Sequence, residues 1–233
     1  MKSLLVCSTA LLAAASLLAA DKDDVKGAAK KLADAENYSW TTKMESSQFS
    51  PGPSHGKTQK DGLVWQDFTT RDNTVEAYAK DGKGAIKTDD GWQSLDDAAK
   101  DDGGGGFNFT RFLAMRMKNF KAPAVQADEI ADTTKDLTKV GDLYAGDLTE
   151  EGAKNLLSFG GRRGGQGPAI SNAKGSVKFW IKDGVMTRYQ TKVSGTVTRN
   201  GEDMDRDVTT TVEIKDIGAT KITVPDEVKK KMT

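Results

Sequence analysis

Few side chains in this chain have the type and spacing for bond-making chemistry, and those that do stand apart from one another. The only histidine, His55, lies in Ser50-Pro51-Gly52-Pro53-Ser54-His55-Gly56, whose composition reads as an exposed loop. A working histidine needs an orienting partner, and its sequence neighbours supply none. No Gly-x-Ser-x-Gly, His-Glu-x-x-His or phosphate-loop pattern occurs. Gly160-Gly161-Arg162-Arg163-Gly164-Gly165 sets two guanidinium groups among open backbone amides, as an anion would require, yet its spacing fits a flexible loop better than any phosphate fingerprint. Glu202, Asp203, Asp205 and Asp207 gather carboxylates as a calcium loop does, but without an EF-hand's ordered alternation and terminal glutamate, so a solvated turn accounts for them. An enzyme would have to draw on carboxylates such as Asp67, Glu76 and Glu213. The sequence thus predicts no catalytic residue, no metal site and no cofactor.

Apolar side chains carry a clearer signal. Phe109, Phe112, Leu113, Met117 and Phe120 fall on one side of a helix running from Phe109 to about Phe120, and Arg116 lies in the same arc. Four glycines, Gly103 to Gly106, precede it and give it a flexible tether. Trp40, Met44, Val64, Phe68 and Tyr78 fall on segments with strand periodicity. Two readings stand for this set: a Met- and Phe-rich helix can be plain core, or it can be a lid over an apolar pocket. Arg116 fits the lid as a lone cation seeking a carbonyl or carboxylate in one lid state, and fits the core by snorkelling to solvent.

The elements that would position these residues follow from periodicity. Val25, Ala28, Ala29 and Leu32 have helical spacing within Asp21 to Ala35, which predicts an amphipathic first helix. From Asn37 the period becomes two, with Tyr38, Trp40, Thr42 and Met44 on one face. Strands are predicted at 62–70, 74–80 and 84–88, divided by Asp-Gly pairs that favour tight hairpins. After Pro123 a weaker helix spans 125–131, two short strands fill 136–148, and Thr149 opens a helix to Leu157 with acids in its first turn. Long strands are predicted at 175–181, 185–198 and 207–217, where Val185, Thr187, Tyr189, Thr191, Val193 and Val197 form one face of the middle strand. Ile222-Thr223-Val224 is expected as a short edge before a terminal helical turn. Many consecutive strands with helices grouped in sequence imply an antiparallel α+β domain, because parallel strands would need a helix between each pair.

Location is read from the N-terminus. Lys2, the apolar run Leu4 to Leu18 and the small residues before Asp21 predict a secretory signal peptide over residues 1–20, with 21–233 as one exported domain. The single cysteine, Cys7, leaves with that segment, and Val6 before it does not suit lipidation. The mature chain is then without thiol or disulfide, and its core alone stabilises it. The chain has 34 basic and 34 acidic residues, a balance that argues against a nucleic-acid partner.

Signal peptide, amphipathic helix, the aromatic strand Asn37-Tyr38-Ser39-Trp40-Thr41-Thr42, Asp-Gly hairpins, central helices, long strands and the closing Ile222-Thr223-Val224-Pro225-Asp226-Glu227-Val228 follow one another in an order that resembles the LolA/LolB lipoprotein carriers and the related LppX and LprG lipoproteins. That resemblance implies a curved antiparallel half-barrel with helices covering its concave face, and a periplasmic binder of an acyl chain or other hydrophobic small molecule. It implies Trp40, Met44, Phe68, Phe109, Phe112, Leu113, Arg116, Met117 and Phe120 as the ligand-lining set, and transient contact with a membrane surface. The missing lipidation cysteine and the Gly-rich insertions set this chain apart from the lipoprotein members. RseB carries a similar half-barrel that binds partner proteins, so an envelope sensor with a protein partner and no transported ligand is the alternative.

Overall fold

The computed structural model describes residues 8–48, 51–69, 74–101, 108–158, 168–199 and 201–232, with side chains from residue 20 onward. Most of the predicted signal peptide's side chains, Cys7, the tetraglycine tether, the Arg162-Arg163 loop and Asn200 lie outside these residues. The chain is α+β. Among the described residues the strands, numbered β1 to β11 in chain order with their ranges given below, form an eleven-stranded sheet in the order β6-β5-β4-β3-β2-β1-β11-β10-β9-β8-β7. The chain divides into two compact units, residues 32–123 with 209–233 and residues up to 31 with 124–208.

In the first unit β1 (Asn37–Ser46), β2 (Ser54–Gln59), β3 (Val64–Thr69), β4 (Thr74–Lys80), β5 (Lys83–Thr88) and β6 (Gly91–Ser94) form an antiparallel meander. The β4–β5 turn has Asp81 at φ 52° and Gly82 at φ 78°, the double left-handed geometry that an Asp-Gly hairpin requires. Short α2 (Leu95–Lys100) and α3 (Phe109–Lys118) pack on each other and on β5, and α3 also meets β4. Ser94 caps α2 by accepting the Asp97 N–H, and Asn108 caps α3 by accepting the Arg111 N–H at 2.9 Å. Val64, Gln66, Phe68, Ala77, Ala79 and Ile86 are buried on the face beneath these helices. On the opposite face Tyr78 and Ala85 are covered by the C-terminal segment, where Val228 of α6 (Asp226–Lys229) is fully buried and Ile222, Val224 and Met232 pack beside Trp65 and Trp92. The Tyr78 hydroxyl donates to the Thr223 carbonyl at 3.2 Å.

The second unit contains α1 (Ser8–Ala33) up to Lys31, α4 (Pro123–Asp132) from Ala124, β7 (Thr134–Val140), β8 (Leu143–Leu148), α5 (Glu150–Leu157), β9 (Ala169–Lys182) and β10 (Val185–Arg199). Thr149 caps α5 through the Gly152 N–H at 3.0 Å, as its sequence predicts. α5 packs on β9 and β10, over a face where Val177, Phe179, Tyr189 and Val193 are buried. Strand β11 (Glu202–Lys215) divides between the units after Val208.

Several expectations need correction. Residues 54–59 are a strand rather than a loop, because Gly56 and Thr58 are buried in register with Trp40 and Tyr38. β6 and α2 follow the expected Asp90-Gly91 turn over a stretch for which no element was predicted, and the Ser94 cap was the sequence signal of α2. β9 and β11 extend several residues further toward their N-terminal ends than alternation suggested, since cross-strand pairing continues through polar positions. A bulge between Met186 and Arg188 reverses the start of β10, so Met186 is buried while Val185 and Thr187 are exposed. Ile222 to Val224 form no strand and act as apolar cover instead.

Candidate functional site

Trp40 is the anchor of the first unit's helix-covered face. It stands opposite Gly56 in the β1–β2 register, and its ring lies so close to that backbone that a Cβ at position 56 would come within 2.0 Å of its Cζ2 atom. Only glycine leaves that space. The ring's stacking partner is Phe120, just beyond α3, at 5.6 Å between centroids and 18° between planes. Tyr38, two residues earlier on the same strand face, tilts against Trp40 at 5.9 Å.

Phe68 on β3 is buried, and the Arg116 guanidinium of α3 lies 5.6 Å from its ring centroid, a cation–π contact. Arg116 is itself exposed, so the contact stands where the apolar layer meets solvent. Leu113 and Met117 are each 1% exposed and anchor α3, whereas Phe109, Phe112 and Phe120 are only partly buried. Met44, toward the more exposed end of β1, is also partly buried. The structure therefore brings Trp40 to Phe120 and Phe68 to Arg116, with Leu113 and Met117 buried on the intervening helix.

Sequence reasoning passed over Gln66. It lies between Val64 and Phe68 on the same buried face, 1% exposed, and its side-chain oxygen is sealed from solvent without a hydrogen-bond partner. A polar residue at an inward position of an alternating strand was the available signal.

The charged groups are mostly committed to structure. His55 is on β2, and Asp67 orients it: the His55 N–H donates to one carboxylate oxygen at 2.6 Å and its ring Nδ1 lies 3.0 Å from the other. This corrects the expectation of an unoriented loop histidine. Glu76 accepts from the Trp65 indole N–H at 3.3 Å. Asp203 and Asp205 accept from the Thr198 and Thr196 hydroxyls at 2.6 and 2.9 Å, which engages two carboxylates of the calcium reading in strand pairing. Among the described residues no group of three or more His, Cys, Asp or Glu side chains is placed to hold a metal. Asn108 caps α3, and the Asn37 side chain accepts the Thr220 N–H at 2.6 Å.

The second unit holds a polar cleft of about 310 Å³ between α1, the β7–β8 hairpin and the β9–β10 turn. Asp24 is its centre, accepting from the Tyr144 hydroxyl at 2.7 Å and from Lys139 Nζ at 3.2 Å. These bonds, the tyrosine's foremost, hold the Asp24 carboxyl below its ordinary value, while burial pushes the Tyr144 phenol up. With Asp23, Asp142, Asp183, Lys31 and Lys139 on its walls, the cleft suits internal ion pairing rather than an acyl chain.

Helix-covered antiparallel sheet, Asp-Gly hairpins and closing apolar segment together make this an LppX/LprG-like fold. The crystal structure of LprF from Mycobacterium bovis is similar over 90% of this chain and 98% of its own, with a TM-score of 0.51 and 10% sequence identity. That likeness is one of fold. No protein-family model matches the chain, and no curated protein matches it in sequence. No described helix is long and apolar enough to cross a membrane.

Proposed function

We propose that the chain is an exported binder or carrier of a lipid or other hydrophobic ligand in the cell envelope, with residues 1–20 removed as a signal peptide. The ligand lies along the layer between α3 and the β1–β4 face, meeting Trp40, Met44 and Phe68 from the sheet and Phe109, Phe112, Leu113, Met117 and Phe120 from the helix side. Arg116 serves the ligand's polar end.

The observation that carries this reading is the assembly of Trp40, Phe68 and Phe120 under one short helix, in a fold shared with LprF across nearly the whole chain. Aromatic rings held by ring-on-ring and cation-on-ring contacts offer an apolar surface that an acyl chain can share without leaving a polar group unpaired. α3 has ten residues and few turns, so moving it breaks few backbone bonds.

Purification of the mature chain from a bacterial envelope, followed by organic extraction and native mass spectrometry, tests the proposal. A co-purifying acyl lipid is expected, and Phe112→Ser should lose most of it with the circular dichroism spectrum unchanged. Met117→Ser should lose it too, at a cost in stability, since Met117 is fully buried. A protein that leaves the envelope bare and takes up no added lipid overturns the carrier and favours the RseB-like sensor.

A further inference from the structure

The inner face of the first unit's sheet contains one row that crosses five strands: Trp40 on β1, Gly56 on β2, Gln66 on β3, Ala77 on β4 and Ile86 on β5. Directly paired residues share a face, so Gln66 stands between a glycine and an alanine, with the Trp40 ring lying over the glycine. Along its own strand its same-face neighbours are Val64 and Phe68, both buried. The nearest other buried polar side chain on β2 is Thr58, which gives its hydroxyl to the Gln59 carbonyl at 3.5 Å. Gln66 thus keeps a hydrogen-bonding amide in an apolar layer, with its oxygen enclosed and unpaired.

A buried polar group without a partner costs free energy that a leucine or methionine of similar volume would not. A water needs two or more polar partners to settle beside it, and this row offers the amide alone.

We infer that Gln66 is the polar specificity determinant of the apolar layer: its side-chain oxygen accepts a hydrogen bond from a hydroxyl of an amphiphilic ligand. The class is a hydroxyl-bearing acyl compound, such as a glycerolipid with a free glycerol hydroxyl, rather than a fully esterified or purely hydrocarbon molecule. A hydroxyl-bearing ligand gains a hydrogen bond from an oxygen that is unpaired in the ligand-free protein, and the analogue lacking the hydroxyl gains none. This inference rests on the binder reading above and adds to it the polar group that the ligand must carry.

The test compares two oleoyl esters with the same chain, 1-monooleoylglycerol with free hydroxyls and methyl oleate with none. Parent protein should bind the monoglyceride about fivefold more tightly, the worth of one net hydrogen bond. Gln66→Leu should bind methyl oleate as well as the parent does, lose the preference, and gain about 2–4 °C in the ligand-free melting temperature. Gln66→Met repeats the experiment with a side chain that packs more freely. Equal preference in parent and variants, or a ligand-free variant that melts lower, overturns the assignment alone. A parent protein that takes up neither ester overturns the binder reading and this assignment with it.

Discussion

The two units differ in how they cover aromatic residues on the helix-free side of a strand. In the first, Trp65, Tyr78 and Trp92 face away from α2 and α3, and the chain's own C-terminal segment covers them with Ile222, Val224, Val228 and Met232. Trp92 also meets Tyr78 edge to face at 5.5 Å. In the second, Trp180 sits opposite Leu143 on β8 and Arg188 on β10, and the Arg188 guanidinium lies 4.4 Å over its ring. Val140, paired with Leu143, is 75% exposed. One unit spends a stretch of backbone to cover its outer rings, with Lys57 and Lys87 also placed over Trp65 and Trp92, and the other shields a ring with a cation and no covering segment. Burial under a segment is stabilising and cooperative with the fold, whereas a cation over a half-exposed ring is worth little and costs no extra chain.

Breaking the cover should therefore hurt most. Val228→Asp places a charge among Tyr78, Ala85 and the tryptophans without a partner, and is expected to cost about 3 kcal/mol in urea unfolding. If the segment is a loose tail instead, the change will be close to neutral. Removing the cation sharpens the contrast from the other side: Arg188→Ala should cost only about 0.5–1 kcal/mol, because the pair stays near water. It also releases an Nε that is buried without an acceptor, which offsets part of that cost. A loss as large as that of Val228→Asp would erase the distinction between the units.

The smallest effect concerns Asp24. Its carboxyl is held low by Tyr144 and Lys139, so its contribution to stability is full above the ordinary aspartate value near pH 4 and disappears as pH falls through the lowered one. Asp24→Asn should then be slightly less stable than the parent at neutral pH, and the two should converge in acid. Because Asp24 is half exposed, solvent and salt screen the difference. Acid titrations of both proteins, followed by circular dichroism, measure it.

Much of this architecture is legible in the sequence where one periodicity dominates. β1 shows its buried face through Tyr38 and Trp40, α1 through Val25, Ala28, Ala29 and Leu32, and the hairpin turns through their Asp-Gly pairs. β2 was hidden because its strand character comes from its neighbours: Ser54-His55-Gly56 has turn composition, yet Trp40 needs a residue without a Cβ beside it. β10 misled alternation because a bulge at Met186 shifts the face within one strand. Of the residues proposed to line a ligand, the helix residues could be grouped by wheel position, but the pairing of Arg116 with Phe68 and of Phe120 with Trp40 depends on tertiary contact. His55 found its carboxylate twelve residues away, across a strand pair that local sequence does not announce.

The clamp on Trp40 also has an optical meaning. The chain has four tryptophans, and three of them, Trp65, Trp92 and Trp180, are partly open to water. Trp40 alone is enclosed, at 3% exposure, between a glycine backbone and a phenyl ring. Its fluorescence should be the blue, iodide-resistant fraction of the total emission. A molecule that wedged Phe120 away from the indole would change that fraction, so the enclosed indole offers an unlabelled readout of the proposed ligand layer at the end of α3.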